Sequence, residues 1–150
     1  FGRWGTNYIY GAWSVLTGFE AVGIAKDDPS IGKAVNWLKA KQRDDGGWGE
    51  DNARYHDSQF RDDCYTSTAF HTAIALLALL SAGEVDCGEV ASGIRYLLKS
   101  QNATGAWHDE NFNAPGFPKV FYLKYHGYDQ YFPLWALARF RNLHPAYLNK

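Results

Sequence analysis

The chain has 150 residues, 46% of them hydrophobic, with 15 basic against 16 acidic side chains and a net charge of -1. That length matches one ordinary domain, and the balanced charge excludes the basic field that gathers nucleic-acid phosphates. Two cysteines, Cys64 and Cys87, with no Cys-x-x-Cys pair, exclude a disulfide framework or structural zinc site and fit a reducing compartment. The longest uninterrupted apolar run, Ala73 to Leu80, is well below the ~20 residues needed to cross a bilayer. Aromatic residues make up 17%, as six Trp, ten Tyr and nine Phe, more rings than a small core needs, so some are expected to face a ligand. The chain lacks Met and opens on Phe1-Gly2-Arg3-Trp4 without a signal-like stretch, which reads as a piece of something longer.

In chain order, Tyr8, Ile9, Ala12, Val15, Leu16, Phe19 and Val22 recur at helical spacing and predict a first, buried helix that stops at Gly23. Asp28 and Pro29 supply an N-cap and first position for a second helix. Its Ile31, Ala34, Val35 and Leu38 form one face, away from Lys33, Lys39 and Lys41. The polar segment between Trp48 and Thr66 reads as a long loop. Ser67 to Ala82 is apolar almost all round and closed by Gly83, so it is expected to be a helix buried on most sides. Val85 to Ser100 is amphipathic again through Val90, Ile94, Leu97 and Leu98. A third, degenerate helical pair is expected from Val120–Tyr125 and Phe132–Leu143, with Pro133 in the first turn of the latter. The stretch from Phe117 to Tyr125 alternates like a strand, but Pro118 and its helical surroundings weigh against that assignment.

The helices come with an internal repeat. Ala34, Trp37, Leu38, Gln42, Gly46 and Trp48 return 59 positions later as Gly93, Tyr96, Leu97, Gln101, Gly105 and Trp107. Inner and outer helices repeated this way build a helical toroid. Gln42 and Gln101 are expected to bond free groups at the end of an outer helix while stacking on Trp48 and Trp107. Gly46 and Gly105 permit the tight turn between them, and the whole set is read as fastening rather than chemistry.

The segments KAVNWLKAKQRDDGGW and SGIRYLLKSQNATGAW resemble the QW repeats of triterpene cyclases, the second departing with Ser92 in the basic place. FGRWGTNYIYG at the start, GGWGED at 46–51, PGFPKVFYLKYHGY at 115–128 and FPLWALAR at 132–139 are similar, in that order, to the carboxyl-terminal part of bacterial squalene-hopene cyclases. The resemblance covers essentially the whole chain. It implies an all-α fold, half of an α6-α6 barrel of the α/α toroid type, with residues 1–150 as a single carboxyl-terminal segment of the barrel domain. It also implies an enzyme that protonates squalene and drives its cationic polycyclisation to hopene or hopanol with no cofactor or metal. Its partners would be squalene and the remainder of the cyclase chain, in a homodimer on the cytoplasmic face of a membrane.

Residue by residue, the resemblance matches Phe117 and Phe121 to cavity phenylalanines that stabilise late cations. Trp4 and Tyr10 match residues near the polar end of the cavity, where the first ring closes. Tyr125 and Tyr128 match tyrosines that fold the substrate and place the cation, and Leu123 a shape-setting position. Aromatic residues suit this chemistry because a ring face offers a cation negative potential without forming a bond, about 0.5–1 kcal/mol when exposed and ~2 or more when dry. The family's general acid belongs to an Asp-x-Asp-Asp motif that is absent here, so it is expected upstream and the chain alone is expected to be inactive. Asp27-Asp28, Asp44-Asp45 and Asp62-Asp63 read as solvated loop pairs, and His56, His71, His108, His126 and His144 show no metal-ligand spacing.

The chain also departs from the family pattern. Residues 67–74 read Ser-Thr-Ala-Phe-His-Thr-Ala-Ile in place of Ser-Thr-Pro-Ser-Gln-Thr-Ala-Trp. Asn113-Ala114-Pro115 replaces a Gly-Thr-rich approach, and Asn52 stands where cysteine is common. Two rival readings remain open on the residues. An α/α-toroid carbohydrate-active enzyme would stack sugars on Trp and Tyr but needs paired carboxylates aimed into a cavity. A non-catalytic helical repeat module would bind a hydrophobic ligand or a protein, and an exposed apolar face would favour self-association.

Overall fold

The computed structural model describes residues 4–55 and 66–144. His56, Cys64 and the Asp62-Asp63 pair lie outside the described residues. Among the described residues five helices dominate: α1 (Asn7–Ala21), α2 (Pro29–Ala40), α3 (Ala69–Ala82), α4 (Gly88–Ser100) and α5 (Tyr128–Leu143). A short 3-10 turn spans Asn52–Tyr55, and two strands, β1 (Ala114–Phe117) and β2 (Phe121–Leu123), precede α5.

Local chemistry sets several of these ends. The Asp28 carboxylate accepts the Ser30 N–H at 2.8 Å, with Pro29 beginning α2. Thr68 Oγ1 accepts the His71 N–H at 3.1 Å at the start of α3, and Gly83 in the left-handed region ends it. Every residue of α3 from Ala69 to Ser81 is buried. A helix apolar on all sides must be surrounded, and α3 is the central column of the fold. Each fully buried Leu or Ile on it contributes about 1.5–3 kcal/mol of transfer free energy.

Alongside α3 run α1 and α5. Thr17 meets Ser81 at 3.3 Å and Glu20 pairs with Arg139 at 2.6 Å toward the carboxyl ends of the three helices. At their amino ends, Phe70 packs on Tyr10 at 6.5 Å and on Tyr128 at 5.1 Å. The three therefore run parallel with their N-termini gathered at one end. They form the inner layer, and α2 and α4 form the outer layer of an α/α toroid segment.

Three expectations need correction. The first helix is not buried: only Asn7, Ile9 and Leu16 of α1 are, while Val15 is 50% and Val22, just past its end, 74% exposed. Its apolar residues spread too widely for the single flank that α3 covers. The predicted helix at Val120–Tyr125 is instead part of a hairpin, in which Ala114 pairs with Leu123, Pro115 with Tyr122 and Phe117 with Phe121. The pairing with β1 decides the difference, and the prolines before Val120 are compatible with it. Pro115 sits in β1, an edge strand where a missing N–H costs nothing, and both prolines keep the chain before Val120 from entering a helix. Finally, α5 begins at Tyr128 rather than Phe132, which puts Pro133 in its second turn. The early start is held by the Gly127 carbonyl, which accepts from Gln130 and Tyr131 N–H at 3.1 and 2.8 Å.

Candidate functional site

The repeated turns fasten the ends of the outer helices α2 and α4. Trp48 Nε1 donates to the Leu38 carbonyl at 2.8 Å, and Trp107 Nε1 donates to the Leu97 carbonyl at 2.9 Å. Each acceptor lies in the last turn of an outer helix, where carbonyls lack intrahelical partners. The indoles, not the glutamines as expected, reach these carbonyls, alongside Lys41 N–H on Leu38 O at 3.1 Å and the Ser100 hydroxyl on Leu97 O at 3.2 Å. The glutamines close the turns instead: Gln42 Nε2 donates to Gly46 O and Gln101 Nε2 to Gly105 O, both at 2.8 Å. Gln42 also reaches Glu89 O at 2.8 Å, which ties the end of α2 to the start of α4. Gly46 and Gly105 have φ of 87° and 82°, the left-handed turn that the sequence pattern requires.

Two residues after each tryptophan, a carboxylate returns to cap an inner helix. Glu50 accepts from Tyr8 and Ile9 N–H at 3.2 and 2.8 Å at the start of α1. Asp109 accepts from Ala69 and Phe70 N–H, both at 2.9 Å, at the start of α3. A carboxylate at the positive end of a helix is stabilising. Glu50 and Asp109 are a seventh matched pair at the same 59-residue spacing, a signal that was present in the sequence and not read. Burial raises the Asp109 pKa and nearby Asp129 adds to the rise, while the two N–H bonds oppose it. Asp45, in one of the acidic pairs, accepts from Gly47 N–H and Ser67 O–H at 2.9 and 2.8 Å, so it closes a turn.

Beside these capped N-termini the expected ligand residues gather. Tyr125 and Tyr128 lie 4.7 Å apart, and the Tyr128 O–H donates to Trp4 O at 3.2 Å. Burial pushes the Tyr128 phenol up to about 12, with Tyr10 and Tyr125 adding to it. Burial also raises Tyr10, again with Tyr125 contributing. The structure thus brings Trp4, Tyr10, Tyr125 and Tyr128 together from positions more than a hundred residues apart. Phe117 and Phe121 pack edge to face at 5.6 Å on the hairpin, 50% and 42% exposed, and β2 leads through Leu123 into Tyr125.

Sequence reasoning missed other rings of this surface. Phe70, seen only as a departure from the family pattern, is fully buried and touches Tyr10, Tyr128 and Phe132. Trp13 extends the aromatic surface along α1 and α5, meeting Phe132 at 5.3 Å and Trp135 at 5.9 Å. Next to Phe70, the buried His71 bonds Thr6 O through Nε2 at 3.0 Å and Thr68 Oγ1 through Nδ1 at 2.8 Å. A carbonyl can only accept, so Nε2 carries the proton and Nδ1 accepts from the hydroxyl. Burial lowers the His71 pKa to about 4, outweighing the bond to Thr6.

The squalene-hopene cyclase C-terminal domain, as a family model, matches residues 1–142. The chain belongs to the squalene-hopene cyclase family. It is similar to the squalene-hopene cyclase of Bradyrhizobium diazoefficiens, 54% identical over 143 residues that cover 95% of this chain and 22% of that protein. The squalene-hopene cyclase of Zymomonas mobilis is 49% identical over 146 residues, covering 97% and 22%. The human lanosterol synthase is 32% identical over 148 residues, covering 96% and 20%. The chain therefore spans about a fifth of the length of these curated relatives. Among its described residues, no helix is long and apolar enough to cross a membrane. Membership of the squalene-hopene cyclase family favours neither the carbohydrate enzyme nor the non-catalytic module.

Proposed function

We propose that this chain forms one wall of the substrate cavity of an enzyme that protonates squalene and drives its cationic polycyclisation to hopene or hopanol. In this reading residues 1–150 are a single carboxyl-terminal segment of the barrel domain. The observation that carries it is the convergence of Trp4, Tyr10, Tyr125 and Tyr128 at the amino end of three parallel inner helices. Protonation of a terminal alkene creates a carbocation, each ring closure consumes one C=C bond and moves the charge, and loss of a proton or capture of water ends the cascade. Tyrosines with raised pKa stay neutral, so they offer π faces and weakly nucleophilic hydroxyls rather than phenolates that would trap the cation. Phe117 and Phe121 take the late cations, Trp4 and Tyr10 the polar end, Tyr125 and Tyr128 the folding of the substrate, and Leu123 the cavity shape.

The general acid is supplied by another part of the cyclase polypeptide, on an Asp-x-Asp-Asp motif. At the inner helix ends, Glu50 and Asp109 are engaged with backbone N–H groups as caps, and Asp129 in the first turn of α5 accepts from Asp109 N–H and Gln130 Nε2, both at 3.1 Å. The intact enzyme works without a metal or cofactor, as a homodimer on the cytoplasmic face of the membrane that supplies its apolar substrate. Purified chain incubated with squalene is expected to yield no polycyclic lipid above a boiled control, whereas a polypeptide that also carries the acid motif yields it. Polycyclic product from the chain alone overturns the assignment of the acid, and none from the longer polypeptide overturns the function.

Within that longer polypeptide, Phe121→Ala removes an interaction stronger in the transition state than in bound substrate, so turnover falls more than affinity. Loss of ~2 kcal/mol of dry cation-π stabilisation slows the affected step roughly 30-fold. Incompletely cyclised hydrocarbons then accumulate, and Phe121→Tyr, which keeps a π face, does better. A lower melting temperature with an unchanged product profile assigns Phe121 to packing alone.

A further inference from the structure

We propose that Asn113 is a positioning residue that locks the Trp4 loop and the Leu123–Tyr125 segment into one register, an inference that rests on the cavity reading above. Asn113 is 3% exposed and directly precedes β1. All of its polar groups are engaged. Its N–H donates to Leu123 O at 3.1 Å and its carbonyl accepts from Thr6 N–H at 2.9 Å. Its side-chain Nδ2 donates to Tyr125 O at 2.9 Å and its Oδ1 accepts from Tyr125 N–H at 2.8 Å. The amide thus pairs with the Tyr125 backbone as a peptide unit of a neighbouring strand would, and carries the hairpin ladder beyond its last rung.

Thr6, two residues after Trp4 and fully buried, is held on every side. Its hydroxyl donates to Asn52 Oδ1 at 2.9 Å and its carbonyl accepts from His71 Nε2 at 3.0 Å. Asn52 Nδ2 in turn donates to Phe112 O at 3.1 Å, next to Asn113. Asn52 and Asn113, which depart from the family's pattern at separate places in the sequence, therefore belong to one buried network. Its effect is to hold in common two cavity segments that lie over a hundred residues apart. A change in their register moves the Trp4 and Tyr125 rings relative to each other, and displacements on the order of 1 Å can cost as much as 10²-fold in an oriented reaction.

The test uses the complete cyclase polypeptide that carries this chain, with squalene as substrate, and reads the ratio of incompletely cyclised to fully cyclised product. Asn113→Ala removes both bonds to Tyr125 and leaves the backbone bonds to Thr6 and Leu123. Asn113→Ser, the milder variant, keeps a hydroxyl too short to span both Tyr125 groups. Both are expected to raise the ratio, the alanine variant by roughly tenfold and the serine variant by less. A merely destabilised enzyme has fewer active molecules but the same ratio. Unchanged ratios in both variants, or failure to recover either as folded protein, overturn the positioning role. A wild-type enzyme that makes no polycycle overturns the functional reading itself.

Discussion

Trp48→Ala is expected to lower the stability of the protein by about 3–5 kcal/mol, measured as the shift in a chemical denaturation curve. The side chain is fully buried, and its indole N–H satisfies the Leu38 carbonyl at the end of α2. The ring lies so close to α4 that a Cβ added at Gly93 would come within 2.8 Å of it. Alanine would leave a large cavity and remove the indole bond to Leu38 O, which keeps the Lys41 N–H at 3.1 Å, so the cavity dominates the cost. Trp48→Phe keeps most of the volume and loses the N–H, so it should fall between wild type and alanine. Trp107 makes the equivalent bond to Leu97 O at 2.9 Å but is 6% exposed, so Trp107→Ala should cost less. A Trp48→Ala cost below ~1 kcal/mol would remove the fastening role from the motif.

Lowering the pH from about 6.5 to 4 is expected to remove about 3 kcal/mol of stability through His71 alone. Its folded pKa is lowered to about 4 from an ordinary 6.5. Between those values the unfolded chain binds the proton and the folded one does not, so the stabilisation is complete above pH 6.5 and lost as pH falls toward 4. Asp109 acts in the opposite sense: its raised pKa means that the folded state holds a proton the unfolded state has released, which favours folding as pH falls. His71→Gln removes the titration while its amide can still donate toward Thr6 O. It should therefore flatten the loss of stability across this pH range. An equally steep loss in that variant would assign the acid sensitivity to other groups.

The α2 start at Asp28-Pro29, the all-round apolarity of α3 and the turn glycines at 46 and 105 depend on neighbours within a few residues. They were legible in the sequence because local capping, periodicity and backbone freedom act over that range. The repeat was legible for the same reason, since identical local solutions recur at identical spacing. Tertiary structure decided the rest. Helix and strand compete closely for a short aromatic segment such as Phe121–Leu123, and the outcome depends on a partner strand that the segment alone does not reveal. Which side chain satisfies an outer helix end depends on reach across ten residues, and there the indole of Trp48 or Trp107 fits while the glutamine is held at the turn.

By itself the sequence determined the helical repeat, the family and the aromatic residue types that gather at the amino ends of the inner helices. Only the tertiary structure decided that Glu50 and Asp109 cap inner helices about forty residues away, that His71 is neutral, and that Thr6, Asn52 and Asn113 form one network. The physical reason is common to all three. A buried polar group must find a partner, and in this fold the partner comes from a distant segment that packing alone brings within 3 Å.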